Sequence, residues 1–168
     1  MIYNTLVQSH FNYGLMLWKY NLKRLEKLQK KAVRIIANSK YNAHTEPLFK
    51  SLNILKIKDT FNLKLLKLYH NYINNKLPSY IQSIDFSLQN QHTYNTRHRQ
   101  VIHIIRHEFA RKTLRYTLPK LLYNTPTIVT DKLYTHSIQG FSSYVKKYYI
   151  SNYIVICSIP NCYICRNN

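Results

Sequence analysis

The segment His92-x-Tyr94-Asn95-Thr96-Arg97-x-Arg99 sets two guanidinium forks and an aromatic ring within six residues. A guanidinium presents a rigid set of donors that matches phosphate oxygens in pairs, and a tyrosine face can stack on an unpaired base. The chemistry on offer is recognition of a nucleic-acid strand, with Arg97 and Arg99 on phosphate and Tyr94 on a base. The same residues also suit a capped turn, in which Asn95 and Thr96 bond the local backbone and Arg97 meets a carbonyl or an acid.

A second cluster, Cys157-x4-Cys162-x2-Cys165, supplies three soft ligands, and its last pair has a spacing common in zinc sites. A structural zinc takes four ligands. His136 is the nearest histidine in sequence, and a ligand from another chain is the alternative; the competing reading is three reduced thiols on a tyrosine-rich tail. Three cysteines confined to the last twelve residues do not make a disulfide framework. Apart from that structural zinc, nothing in the sequence requires a cofactor.

Catalytic motifs are missing. Two-metal chemistry needs carboxylates that converge on ions about 4 Å apart, and adjacent acids are their usual source. The six acids are Glu26, Glu46, Asp59, Asp85, Glu108 and Asp131, and the nearest two, Glu46 and Asp59, lie thirteen positions apart. Glycine occurs only at Gly14 and Gly140, which excludes the phosphate-cradling P-loop and the dinucleotide fingerprint. Neither Gly-x-Ser-x-Gly nor His-Glu-x-x-His is present, and the eight histidines are scattered. Independent catalysis is not expected.

Charge points the same way as the arginine motif. Lys and Arg number 25 against 6 Asp and Glu, a net charge of +19 on 168 residues, which makes a polyanion the default partner. The basic residues are spread along the chain and are not gathered beside one apolar anchor, so nucleic acid is preferred to anionic lipid. No run reaches the roughly 18 to 20 apolar residues that span a bilayer, and no basic n-region with an apolar core opens the chain. The expected location is intracellular, in the nucleus or a cytoplasmic ribonucleoprotein. Sixteen tyrosines inflate the hydrophobic fraction, and the abundance of Tyr, Asn, Ile and Lys tracks AT-rich codons.

These residues need elements to hold them, and the patterning is helical. After a candidate N-cap at Asn21, residues Leu22, Leu25, Leu28, Ala32, Val33, Ile35 and Ile36 fall on one broad helical face, opposite Lys23, Lys27, Lys30 and Arg34. Only Glu26 offsets that charge, so the stripe reads as an anion-binding face. Met1–Tyr20 reads as helical, with Leu6, Phe11, Leu15, Leu17 and Trp18 as core and a bend or break at Gly14. Thr45-Glu46-Pro47 predicts a hydroxyl-capped helix running through Leu52. Asp59 starts another, whose stripe of Phe61, Leu65, Leu68 and Tyr72 is flanked by Leu66, Tyr69 and Ile73 and closed by Asn74-Asn75. Leu77-Pro78 opens a short segment with Tyr80, Ile81 and Ile84, and Ser87–Gln91 reads as a loop. Further helices are expected over about Arg106–Tyr116, Pro119–Tyr123 and Asp131–Tyr149. Strand signals are weak. The predicted fold is mainly α, an irregular bundle of about six to eight helices with a loop-rich, cysteine-containing C-terminal tail.

Several segments together resemble the C-terminal region of reverse transcriptases of jockey-like non-LTR retrotransposons. They are Tyr13-Gly14 with Trp18, the run from Leu28 to Ile36, Ala43 to Phe49 with Leu52 to Leu55, the His92 to Arg99 motif and the Tyr153 to Cys165 run, in the family's order. The stretch Leu121–Thr125 departs from relatives, which often carry Trp-Asn there. The resemblance implies a thumb-like helical bundle over 1–86, a post-thumb helical region over 87–150 bearing the arginine motif, and a cysteine tail over 151–168. It also implies that the palm with its Tyr-x-Asp-Asp metal site lies upstream, in the catalytic part of the same polyprotein. This chain would then be a noncatalytic fragment of an RNA-directed DNA polymerase that grips RNA and DNA backbones through Lys23, Lys27, Lys30, Arg34, Tyr94, Arg97 and Arg99. Two other functions fit the residues: a decayed reading frame without selected activity, and an independent small DNA- or RNA-binding regulator.

Overall fold

The computed structural model describes residues 3–16, 22–84, 86, 106–108, 111 and 113–153. A π-helical segment, Tyr3–Gln8, leads into α1 (Ser9–Gly14), followed by α2 (Leu22–Ile36), α3 (Thr45–Ser51), α4 (Ile57–Ile73), α5 (Ser79–Gln82), α6 (Leu114–Asn124), α7 (Thr127–Thr135) and α8 (Ile138–Ser151). No strand occurs among the described residues, and the chain is mainly α, an irregular helical bundle. It divides into two compact units, one of Met1–Leu63 with Ser143–Asn168 and one of Lys64–Ser142.

In the first unit Tyr3, Val33, Phe49, Ile54, Leu55, Ile150 and Tyr153 form one buried cluster. Its apolar packing is threaded by polar residues. Gln29 is fully buried; its amide nitrogen donates to the Tyr3 hydroxyl at 2.6 Å and the Leu55 carbonyl at 2.8 Å, and its oxygen accepts from the Ile57 N–H at 2.7 Å. One side chain of α2 therefore fixes the π-helical segment and the start of α4 together, with both donors of its amide and one of the two lone pairs of its oxygen in use. Nearby, the Tyr153 hydroxyl donates to Asp59 at 2.6 Å and accepts from the Lys56 N–H at 2.9 Å, while the Lys56 ammonium sits 4.4 Å over the Tyr153 ring. Burial pushes the Asp59 carboxyl above its ordinary range, against the Tyr153 bond and the Lys56 and Lys58 charges, which pull it down.

The second unit buries Leu65, Leu66, His70, Phe86, Leu118, Leu122, Val129, Leu133 and Phe141. His70 stacks on Phe141 with ring centres 5.6 Å apart and donates from Nε2 to the His136 carbonyl at 2.9 Å, which places a proton on Nε2. Tyr72 meets Phe86 edge-on, and burial raises the Tyr69 hydroxyl to about 12.

Three helix ends share one device. Asn38, Asn53 and Asn75 adopt φ of 48°, 55° and 53°, and the residue after each donates back to a carbonyl five positions earlier: Ser39 to Arg34, Ile54 to Phe49, Lys76 to Asn71. Each asparagine also donates three back, which completes a Schellman turn. Neither glycine has positive φ, so asparagine, the L-residue most at ease in the left-handed region, does what glycine usually does.

Several sequence expectations need correction. Leu6 is 62% exposed, because a π-helical winding presents it outward, while Phe11 and Leu15 are buried as expected and α1 ends at Gly14. Thr45 is the first residue inside α3, not its cap; His44 holds the cap position, with no side-chain bond. Residues 106–108 are not helical, and α6 begins at Leu114 and runs through Pro119. The helix expected over Asp131–Tyr149 is two, because Ser137 Oγ accepts the Gly140 N–H and starts a new helix at Ile138. Leu17, Trp18, Asn21 and the loop 87–91 lie outside the described residues.

Candidate nucleic-acid interface

Helix α2 carries six cations, Lys23, Arg24, Lys27, Lys30, Lys31 and Arg34, and its packing sorts them. The buried line of the helix runs through Gln29 and Val33, with Leu22 and Leu25 half-buried beside it. At about 100° per residue Arg24, Lys27 and Lys31 stand opposite that line and Lys23 stands to one side of it, all four exposed. Among the described residues none of these four forms an ion pair.

The remaining two cations are engaged at home. Lys30 meets Glu26 at 2.7 Å, one turn away on the same helix. Arg34 is half-buried and donates from Nε to the Ala43 carbonyl at 2.9 Å, which ties the connection between α2 and α3 to the helix. Elsewhere in the unit Lys56 pairs with Glu46 at 2.7 Å, and Lys50 donates to the Ser151 and Tyr153 carbonyls at 3.3 Å, at the C-terminal end of α8 where a cation meets the negative end of the helix dipole. Lys50, Lys56, Lys30 and Arg34 thus hold the fold, and Lys23, Arg24, Lys27 and Lys31 face outward as an uncompensated row.

Of the stripe expected from sequence, Lys23 and Lys27 stand in the outward row, while Lys30 and Arg34 flank it. Arg24 and Lys31 are members the sequence reading leaves out. Treating Gln29 as polar swings the apparent apolar centre towards Leu28 and Ile35, which are 51% and 79% exposed; treating it as buried recentres the wheel and brings Arg24 and Lys31 into the row. A glutamine midway between Leu22 and Ile36 is the available signal. The rim carries apolar groups as well as charge, so backbone phosphates and the faces of bases or sugars can both be met there.

The connection after α2 is tightly specified. Besides the Asn38 turn and the Arg34 bond, the Ala43 N–H donates to the Lys40 carbonyl at 3.0 Å, closing a turn with Tyr41 and Asn42 at its centre. Tyr41 is 85% exposed.

Tyr94, Arg97 and Arg99 lie outside the described residues, as do Cys157, Cys162 and Cys165. His136, the nearest candidate to complete a zinc site, holds its Nδ1 2.9 Å from the Thr135 hydroxyl. Among the described residues no group of three or more His, Cys, Asp or Glu side chains could hold a metal ion, and no helix is long and apolar enough to cross a membrane. The nearest acids in sequence, Glu46 and Asp59, are joined through Lys56 and Tyr153. Comparison of the chain with protein-family models, with curated proteins and with solved structures finds no match in any of the three.

Proposed function

We propose that this chain is a noncatalytic nucleic-acid-binding module, the C-terminal piece of a retrotransposon reverse transcriptase, that grips the sugar-phosphate backbone of RNA or DNA through α2. The observation that carries the reading is the outward row of Lys23, Arg24, Lys27 and Lys31, four exposed cations with no ion pair among the described residues, beside neighbours that are engaged. Clustered like charge on one helix face repels itself, and a polyanion removes that repulsion while releasing condensed counterions. Support for the polymerase lineage comes from the resemblance alone. Its quoted pieces do meet in space: Gln29 of one bonds Leu55 of another, and Tyr153 of a third packs edge-on against Phe49. No Tyr-x-Asp-Asp occurs in the sequence, so polymerisation belongs, in this proposal, to an upstream catalytic part that is also a protein partner. The place of work is the nucleus or a cytoplasmic ribonucleoprotein.

Fluorescence anisotropy on labelled RNA and DNA tests this. Binding should be indifferent to sequence and should weaken steeply with salt, and replacing Lys23, Arg24, Lys27 and Lys31 by alanine should flatten the log–log salt slope by up to about 3.5 units, at roughly 0.7 to 0.9 per lost phosphate contact. Binding that ignores salt, or an unchanged slope in the quadruple variant, overturns the proposal. A strong preference for one sequence would instead indicate a site-specific regulator, and the lack of a cooperative thermal transition a decayed reading frame.

A further inference from the structure

We propose that Tyr41 is a base-stacking platform at the end of the α2 row, which makes this face selective for strands with unpaired bases over blunt duplex. The inference rests on the backbone-gripping reading of α2 and names the form of nucleic acid that the face takes.

Exposed tyrosines recur in this chain: Tyr13, Tyr80 and Tyr134 stand 93%, 71% and 67% exposed on α1, α5 and α7. Tyr41 is held differently. It occupies a turn closed by the bond from Ala43 to Lys40, and the carbonyl of Ala43 itself is gripped by Arg34 of α2. The turn begins just after Asn38, whose Schellman bonds from Asn38 to Ile35 and from Ser39 to Arg34 fix the exit from the helix. Six residues of connection, 38 to 43, thus carry four constraints, and Arg34, a cation of the helix, is engaged in holding them and is not left to the ligand. The ring that results is 85% exposed and makes no ring contact, hydrogen bond or ion pair among the described residues.

Pre-organised stacking surfaces bind unpaired bases because the ring loses little freedom on binding and every base has a π-face. A base paired inside a duplex shows no open face except at an end. The arrangement therefore combines a sequence-indifferent electrostatic row with a group that reads only whether a base is unstacked. Ile35, 79% exposed in the last turn of α2, adds apolar surface on the helix that leads into the turn.

The test uses the full chain and three fluorescein-labelled probes of equal charge: oligothymidylate, the same backbone with abasic sites, and a blunt duplex, titrated by anisotropy at one salt concentration. The wild-type chain should prefer oligothymidylate to the abasic strand. Tyr41→Ala should lose roughly five- to a hundredfold on oligothymidylate while its affinity for the abasic strand and its salt slope stay unchanged; Tyr41→Phe and Tyr41→Trp should retain the preference. Because the side chain is exposed, Tyr41→Ala should keep the wild-type melting temperature. Equal affinity of Tyr41→Ala and wild type for oligothymidylate, with steep salt dependence intact, overturns the stacking role and leaves the α2 reading standing. Absence of binding to all three probes overturns both.

Discussion

At the scale of single residues, Gln29 has the largest structural role for its size. Its three bonds reach the hydroxyl of Tyr3, the carbonyl of Leu55 and the N–H of Ile57, all of them buried. Replacing it with methionine, which has nearly the same shape, keeps the packing but leaves a buried N–H, carbonyl and hydroxyl without partners. Each stranded group costs about 1 to 3 kcal/mol, so Gln29→Met should destabilise the first unit by roughly 3 kcal/mol or more, read from the urea midpoint. A loss under about 1 kcal/mol would mean that water reaches those groups. The Gln-Lys-Lys-Ala-Val-Arg stretch is thus less a ligand-contacting motif than a fastening: Gln29 and Val33 point inward, Arg34 holds a loop, and Lys31 alone of the run stands in the outward row.

At the scale of elements, the helix ends show how a glycine-poor chain terminates helices. Asn38, Asn53 and Asn75 all sit at positive φ, where a β-carbon meets steric resistance that asparagine partly offsets through local polar contacts. Asn→Gly at each position should be neutral to stabilising, by up to about 1 kcal/mol, and Asn→Ala destabilising by about 1 kcal/mol, since the left-handed region costs an ordinary side chain roughly that much. Thermal melts of the six single variants measure this, and stabilisation by alanine would show that the turns are not held in that conformation in solution. The end of α4 at Asn74-Asn75 was visible in the sequence because two asparagines follow a long apolar stripe. The starts were harder. Thr45 looks like a cap by composition, yet the chain bends one residue earlier, at His44; Ser137 lies inside an apolar pattern that continues on both sides, so nothing local separates α7 from α8 except the bond it makes to Gly140. Caps depend on where the backbone turns, and periodicity does not report that.

At the scale of the whole molecule, charge dominates. A net +19 on 168 residues raises the energy of any compact state by self-repulsion, which salt screens over roughly 10 Å at 0.1 M. The melting temperature should therefore rise as sodium chloride is added from about 0.05 to 0.5 M, and it should rise further at low salt when a polyanion that binds only the folded chain is present. A melting temperature that falls with salt would show that ion pairs such as Lys56–Glu46 and Lys30–Glu26 outweigh the repulsion. The quadruple variant of the α2 row separates the two contributions, because it removes repulsion and leaves both pairs in place.

What the sequence determined alone is what depends on composition and local period: an excess of cations, the lack of local catalytic motifs, a mainly helical fold, and the bounds of α2, whose apolar and basic residues alternate at the helical repeat over fifteen residues. Only the tertiary structure decided which cations are available. Arg34, Lys50 and Lys56 look the same in the sequence as Lys23, Arg24, Lys27 and Lys31, but the first three find carboxylates or carbonyls brought near by folding, across as many as 103 positions for Lys50 and Tyr153, and among the described residues the second four form no ion pair; Lys30 meets Glu26 within its own helix. A charge reaches for the nearest compensating group in space, and the spatial neighbours of a residue are fixed by packing that no local window contains.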